Sequence, residues 1–361
     1  MGKTVNFNAG PAGVPAEVLK KVHDELLDYK GTGISIMESS HRSAEYDEIN
    51  ESCMALAREL FGLGDDYHVL FMTGGASSQF ALLPMNFLGD NQVGAYVDTG
   101  TWSTKAYKEC DIVGKSEVIW SGKELDYARV PKPSEIKIPS NAAYLHMTSN
   151  NTIKGTQFFD WPDAGNVPLI CDMSSDIASR QLDFTKFAMI YAGAQKNLGP
   201  SGVTLVLIRD DFMKTGKDGL PTMFTYKTYA EKKSLYNTPP AFGVYFMKNV
   251  FEWIKGQGGI AGVEKINREK KDMLYGMIDA HPEFYKGTAE KDCRSWMNIT
   301  LRLPNEELEK KFIAEAKADG MIGIKGHRSV GGIRFSTYNA MPKEGVTKMV
   351  GFMEAFVKAN G

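Results

Sequence analysis

Cysteine is scarce in this sequence. Its four residues, Cys53, Cys110, Cys171 and Cys293, stand singly, with no CxxC pair and no spacing that suggests a disulfide framework or a zinc site. That excludes a small stapled secreted scaffold, leaves no metal site to expect, and favours a reducing cytoplasm. An excess of charge of one sign is missing as well. The 42 basic and 44 acidic residues leave a formal net charge of −2, with no basic stripe or acidic tail for nucleic acid or an anionic membrane. No apolar run reaches the roughly 20 residues that cross a bilayer, and the opening MGKTVNFNAGPAGVP lacks the apolar centre of a signal peptide. Internal repeats and low-complexity stretches are absent too. The expectation is a soluble, unprocessed, cytoplasmic protein whose partners are small molecules.

What is present is material for two cores, since 361 residues exceed one simple domain. Pro15 followed by Val18, Leu19, Val22, Leu26 and Leu27 has helical period with proline in the first turn, and Tyr46, Ile49, Cys53, Met54, Leu56 and Leu60 form a second helix ending at Gly62. Short β-type runs then recur at Val69 to Met72, Gly94 to Val97, Ala143 to Met147, Pro168 to Cys171, Met189 to Tyr191 and Val203 to Ile208, most of them separated by helix-length stretches. This alternation predicts an α/β domain around a mainly parallel sheet, with ligands beyond the carboxyl ends of its strands. A helix from about Ala241 to Lys255 breaks at Gly256 to Gly259, where we place a domain boundary, and Val263 to Ile278 resumes. Beyond it, strands Trp296 to Leu303 and Ile333 to Tyr338 with helices 305–319 and 343–358 read as a smaller α+β domain.

Three segments carry chemistry. TGGASSQF, Thr73 to Phe80, follows an apolar strand and opens a helix; its glycines permit close backbone approach, and the free N–H groups and positive dipole of a helix start suit a phosphate. Alone it reads as a tight turn. A nucleotide P-loop is excluded, since Gly114-Lys115-Ser116 has no glycine at the required distance before it. Asp172 ends the apolar run VPLIC, where a carboxylate either caps the next turn or keeps a pyridine nitrogen protonated, making the ring an electron sink. Lys196 lies in YAGAQKNLGPSG, a glycine-rich link between two apolar strands; partial burial there lowers the pKa of an amine, and only a primary amine forms an imine with an aldehyde cofactor and can later carry an α-proton. His41-Arg42 and His327-Arg328 are each most simply surface pairs, yet together they suit a substrate bearing both carboxylate and phosphate.

FNAGPAGVP, SHRS, GGASSQF, CDMSS, YAGAQKN, YNTPP, IKGHRSVGG and YNAMP, in that order and across essentially the whole chain, resemble the phosphoserine aminotransferase family of the class V aminotransferases. The resemblance implies fold type I of the pyridoxal-phosphate-dependent transferases, with a large cofactor-binding domain of 16–258 and a small domain of 1–15 and 259–361. It implies a homodimer with active sites at the subunit interface, pyridoxal 5'-phosphate as cofactor, and amino transfer from L-glutamate to 3-phosphohydroxypyruvate. By the same resemblance Lys196 is the Schiff-base lysine, Asp172 the partner of the pyridine nitrogen, and Trp102 the aromatic that stacks on the ring. Thr152 is the hydroxyl on the phenolic oxygen. Ala76, Ser77 and Gln195 hold the cofactor phosphate, joined by Asn237 and Thr238 of the neighbouring subunit; His41, Arg42, His327 and Arg328 hold the substrate. Some members carry arginine where this chain has Ser77, while others share its Ala-Ser form. Three alternatives stay open: a serine–glyoxylate aminotransferase, a cysteine desulfurase, and a non-catalytic binder of phosphorylated ligands.

Overall fold

The computed structural model describes residues 4–361. A short strand β1 (Val5–Asn6) is followed by helices α1 (Ala16–Glu25) and α2 (Ala44–Phe61). Strands and helices then alternate through β2 (Tyr67–Met72), α3 (Gly75–Phe87), β3 (Val93–Asp98), α4 (Thr101–Val113) and β4 (Ser116–Ser121). Next come β5 (Ala142–Thr148), β6 (Leu169–Asp172), β7 (Met189–Gly193) and β8 (Thr204–Arg209). Two short helices, α5 (Asp210–Lys214) and α6 (Tyr226–Glu231), lead to the long α7 (Ala241–Gly256) and α8 (Gly259–Ala280). The last part holds β9 (Lys286–Gly287), β10 (Asn298–Arg302), α9 (Glu306–Ala318), β11 (Met321–Ile322), β12 (Ile333–Ser336) and α10 (Lys343–Asn360).

Local chemistry accounts for these bounds. The Ser43 hydroxyl accepts the Tyr46 N–H at the start of α2, Glu45 and Asp47 face the positive end of its dipole, and Gly62 ends it in the left-handed conformation at φ 62°. Its stripe Tyr46, Ile49, Cys53, Ala57 and Phe61 is buried at helical spacing.

Strands β2 to β8 form one seven-stranded sheet in the order β2-β8-β7-β6-β5-β3-β4. All run parallel except β8, which is antiparallel to both β2 and β7. Both faces are covered: Val69 and Phe71 of β2 belong to the core shared with α1, α2 and α7, while Leu70 and Met72 point into the core beneath α3 and α4. Burial on both sides explains why the central strands read as unbroken apolar runs. The edge strand β4, SEVIWS, is half polar and largely exposed, so no apolar run announces it. A second correction concerns the expected helices: no α-helix joins β5 to β6 or β6 to β7, the latter link holding only a single 3-10 turn at Phe184–Lys186. Pro162, Pro168, Gly155 and Gly165 break helical structure in the first of these crossovers, where Asn151 and Ser175 side chains meet backbone groups; in the second, the amides of Asn197, Asn339 and Asn267 donate to the carbonyls of Ile177, Ala178 and Ser179. The break before α8 is also shorter than expected, because Gly258 and Gly259, at φ 90° and 72°, turn the chain at once and the helix starts at Gly259.

In the remainder, β10 pairs with β12 and β9 in an antiparallel sheet, and β1 pairs in parallel with β11, Val5 opposite Met321. Phe7 packs there with Ile299, Phe312, Phe335, Val346 and Met349.

Candidate active site

The parallel strands β3, β5, β6 and β7 end on one side of the sheet, and a cavity of about 380 Å³ opens beyond those ends. Two larger depressions, of about 580 and 650 Å³, lie elsewhere, but neither brings a buried lysine and carboxylate together.

Lys196 enters the cavity from the link between β7 and β8, its Nζ donating to Thr152 Oγ1 at 3.0 Å and lying 5.7 Å from the centroid of the Trp102 ring. Burial lowers its pKa to about 8; Asp172 pulls the other way, and Arg334 reinforces the fall. The amine is therefore closer to its nucleophilic neutral form than an ordinary lysine. Asp172, 4% exposed at the end of β6, has its pKa raised by burial, against the opposing pull of the Ser174 N–H that Oδ1 accepts at 2.9 Å and of Lys196. A carboxylate so enclosed gains most from a cationic partner placed against it.

The opposite side is the start of α3. Gly74, at φ 88°, turns the chain so that Gly75, Ala76 and Ser77 present a helix N-terminus to the cavity with no side-chain cap. A Cβ at Gly74 would overlap Ser78, so only glycine fits. Trp102, second residue of α4, forms a wall, and its Nε1 is buried without a partner. Gln195 lines the cavity, and its carbonyl accepts the Ala12 N–H at 2.9 Å. That bond fixes the amino-terminal segment over the site: Ala9 and Gly10 also line it, and a Cβ at Gly10 would come within 3.3 Å of Lys196 Cγ.

Arg334 was not anticipated. It projects from β12, 9% exposed, and donates from Nη1 to the Thr152 carbonyl at 3.1 Å, while Nε has no partner. Burial lowers its pKa, and among the described residues no acidic side chain pairs with it. A buried guanidinium without a counter-ion is suited to an incoming anion. The signal was a lone cation inside the apolar strand IRF. Ser174, Ser175 and Asn150 line the cavity too and also escaped the sequence reading.

Of the residues proposed from sequence, the structure brings together Lys196, Asp172, Ala76, Ser77, Trp102, Thr152, Gln195 and His327. Burial lowers the pKa of His327, with Arg334 and Arg328 adding to the effect, and its Nδ1 lies 2.7 Å from Ser329 Oγ. Arg328 is exposed and outside the cavity lining, as are Arg42, Asn237 and Thr238. His41 is half-buried, also away from the lining, and its Nε2 is buried without a partner.

The cavity thus combines a lysine of lowered pKa, a buried carboxylate, an aromatic wall, a helix N-terminus and an unpaired arginine. Two basic side chains and a free helix N-terminus face a single carboxylate, which suits an anionic ligand, and the lysine and aromatic wall suit a planar aldehyde, so the residues fit pyridoxal phosphate. A family model for class V aminotransferases matches residues 4–349, and the chain belongs to that family. Its fold is fold type I of the pyridoxal-phosphate-dependent transferases. Within the family, the chain is 54% identical over 358 residues to the phosphoserine aminotransferase of Desulfatibacillum aliphaticivorans, covering 99% of this chain and 98% of that one. The solved phosphoserine aminotransferase from Bacillus circulans subsp. alkalophilus superposes with a TM-score of 0.98 at 50% identity, over 99% of both chains. A pyridoxal-phosphate-bound phosphoserine aminotransferase from Trichomonas vaginalis gives 0.91 at 34% identity, over 98% of this chain and 100% of that one.

Proposed function

We infer that this chain catalyses the reversible transfer of an amino group from L-glutamate to 3-phosphohydroxypyruvate, giving O-phospho-L-serine and 2-oxoglutarate, with pyridoxal 5'-phosphate as cofactor. The observation that carries the reading is the meeting of Lys196, Asp172 and the unpaired Arg334 in one cavity beside the N-terminus of α3. When bound, pyridoxal phosphate supplies an aldehyde that condenses with amines and a protonated ring that withdraws electrons from the substrate α-carbon. Lys196 would be the amine that holds it, and the same amine, near neutral at its lowered pKa, would carry the α-proton of the substrate. Asp172 holds the proton on the ring nitrogen, and Thr152 positions Lys196 Nζ by the bond already described. Ala76 and Ser77 offer backbone N–H groups, and Gln195 its side chain, to the cofactor phosphate. Arg334 is suited to a substrate carboxylate and His327, with Arg328, to its phosphate.

None of the four cysteines lines the cavity, and all are buried, which speaks against sulfur transfer. We propose further that two copies share their sites, each lending His41, Arg42, Asn237 and Thr238 to the other. In support, these residues lie off their own chain's cavity and are accompanied by the exposed apolar residues Leu27, Ile34, Met37 and Tyr236. The domain partition proposed is 16–258 against 1–15 with 259–361, supported by the packing of Phe7 among Ile299, Phe312 and Phe335. No helix among the described residues is long and apolar enough to cross a membrane; the reduced cysteines favour a cytoplasmic location.

The test is a pair of half-reactions. Glutamate is expected to convert the cofactor spectrum to that of the amine form, and 3-phosphohydroxypyruvate, but not its unphosphorylated analogue at like concentration, to restore it. Equal restoration by both keto acids contradicts the substrate assignment.

A further inference from the structure

Two segments converge beside Lys196. Thr99 to Thr104, the link from β3 with the first turn of α4, carries Trp102; the loop Ser149 to Thr156, following β5, carries Thr152. The first is braced from within by Asp98, 3% exposed, whose Oδ1 accepts Ser103 Oγ at 2.9 Å and Thr104 Oγ1 at 2.9 Å while Oδ2 accepts Ser121 Oγ at 2.9 Å and Tyr127 Oη at 3.1 Å. In the second, Asn151 Oδ1 accepts the backbone N–H groups of Ile153 at 3.0 Å and Lys154 at 3.2 Å. That turn fixes the backbone of Thr152, which lies between them.

The segments are joined to each other by the opposite end of the same amide, because Asn151 Nδ2 donates to the Thr99 carbonyl. Among the described residues no other hydrogen bond links these two segments. The junction is closed on all sides: Asn151 is 3% exposed, and a Cβ on Gly100, itself at φ 146°, would overlap Nδ2. An amide is the side chain that can accept from one segment while donating to the other.

Thr152 Oγ1 stands 3.0 Å from Lys196 Nζ and the Trp102 ring centroid 5.7 Å from it, so the bridge joins the two segments that flank the lysine. We propose that Asn151 is a positioning residue for the cofactor, holding Trp102, through Thr99, at the spacing from Thr152 and Lys196 that a stacked pyridine ring requires. The proposal rests on the reading of the cavity given above.

The test is a double-mutant cycle read as the pyridoxal phosphate dissociation constant in equilibrium dialysis, with the visible circular dichroism of bound cofactor as a second readout. Asn151→Asp keeps the acceptor for Ile153 and Lys154 but lacks the N–H toward Thr99; Asn151→Ala lacks both. Loss of one buried hydrogen bond, with two oxygens now opposed, predicts at least about a threefold to tenfold weaker cofactor for Asn151→Asp in the otherwise unaltered chain. With Trp102→Ala already present, the same change is expected to cost less than about twofold, since the wall it positions is gone. Equal losses in both backgrounds, or unchanged affinity and dichroism in Asn151→Asp, overturn the proposal. So does a failure of both Asn151 variants to fold, which would make the bridge a general structural element. If the unaltered chain binds no pyridoxal phosphate, the functional reading falls and takes this inference with it; equal losses with cofactor bound sink the inference alone.

Discussion

Burial outweighs the attraction of Asp172 at Lys196, bringing its titration to about 8, against about 10.4 for a free lysine. The ammonium form is therefore lost as pH rises through that lower value. Capture of pyridoxal phosphate by the apoprotein is expected to accelerate with pH and level off above about 8, and borohydride should then fix the cofactor to the peptide containing Lys196. A stopped-flow profile still climbing toward pH 10 or so would contradict the lowered value. Lys196→Ala should show neither capture nor transamination. Asp172→Ala is expected to retain cofactor through its phosphate while losing about 10²- to 10³-fold in turnover, the range for removal of one preorganised electrostatic group; near-normal turnover would misplace the nitrogen partner. Arg334→Gln should lower kcat/KM by about tenfold or more with cofactor content unchanged, because a charge-assisted bond to the substrate is lost. Lys196 and Asp172 were legible because each sits in a short motif whose neighbours restrict what it can do, whereas Trp102 was reached only through the family resemblance. Arg334 was not, because what gives it meaning is a carbonyl 182 residues away.

At the scale of elements, the start of α3 carries a prediction of its own. Gly74→Ala forces a side chain onto a left-handed backbone and against Ser78, a strain of roughly 1–3 kcal/mol. Displacement of the helix N-terminus should raise the dissociation constant for pyridoxal phosphate by about tenfold or more while leaving that for pyridoxal, which lacks the phosphate, nearly unchanged; equal weakening of both in dialysis would show that the helix start does not meet the phosphate. The strand ends were readable in advance because doubly buried strands such as VPLIC have one appearance only. The crossovers after β5 and β6 were not. Buried Asn and Ser side chains, in the second case from the distant Asn197, Asn267 and Asn339, replace a helix in satisfying the backbone, and polar residues in a sequence give no sign of being buried until the fold encloses them.

At the scale of the whole molecule, the proposed sharing of sites can be tested by complementation. Two equivalent arms across a two-fold axis place Lys196 in one chain's site and Asn237 with Thr238 in the other's. A mixed dimer of Lys196→Ala with the Asn237→Ala, Thr238→Ala double variant should regain one complete site and up to about half the activity per dimer, although both parents are impaired. No recovery after proven subunit exchange, or an active monomer in sedimentation, would refute the shared site. The pairing of β1 with β11 bears on the order in which the protein is made. Ala9, which roofs the cavity, is held by the hydroxyl of Tyr338, 329 residues further on, and Val5 by Met321. During translation Lys196 and Asp172 emerge early, yet their roof has nothing to close against until β11 and β12 have left the ribosome. Nascent chains arrested before Met321 are expected to show no cofactor absorbance, whereas chains released past α10 should acquire it. Loading with cofactor would then be one of the last events of synthesis, coupled to the appearance of the strand that also brings Arg334.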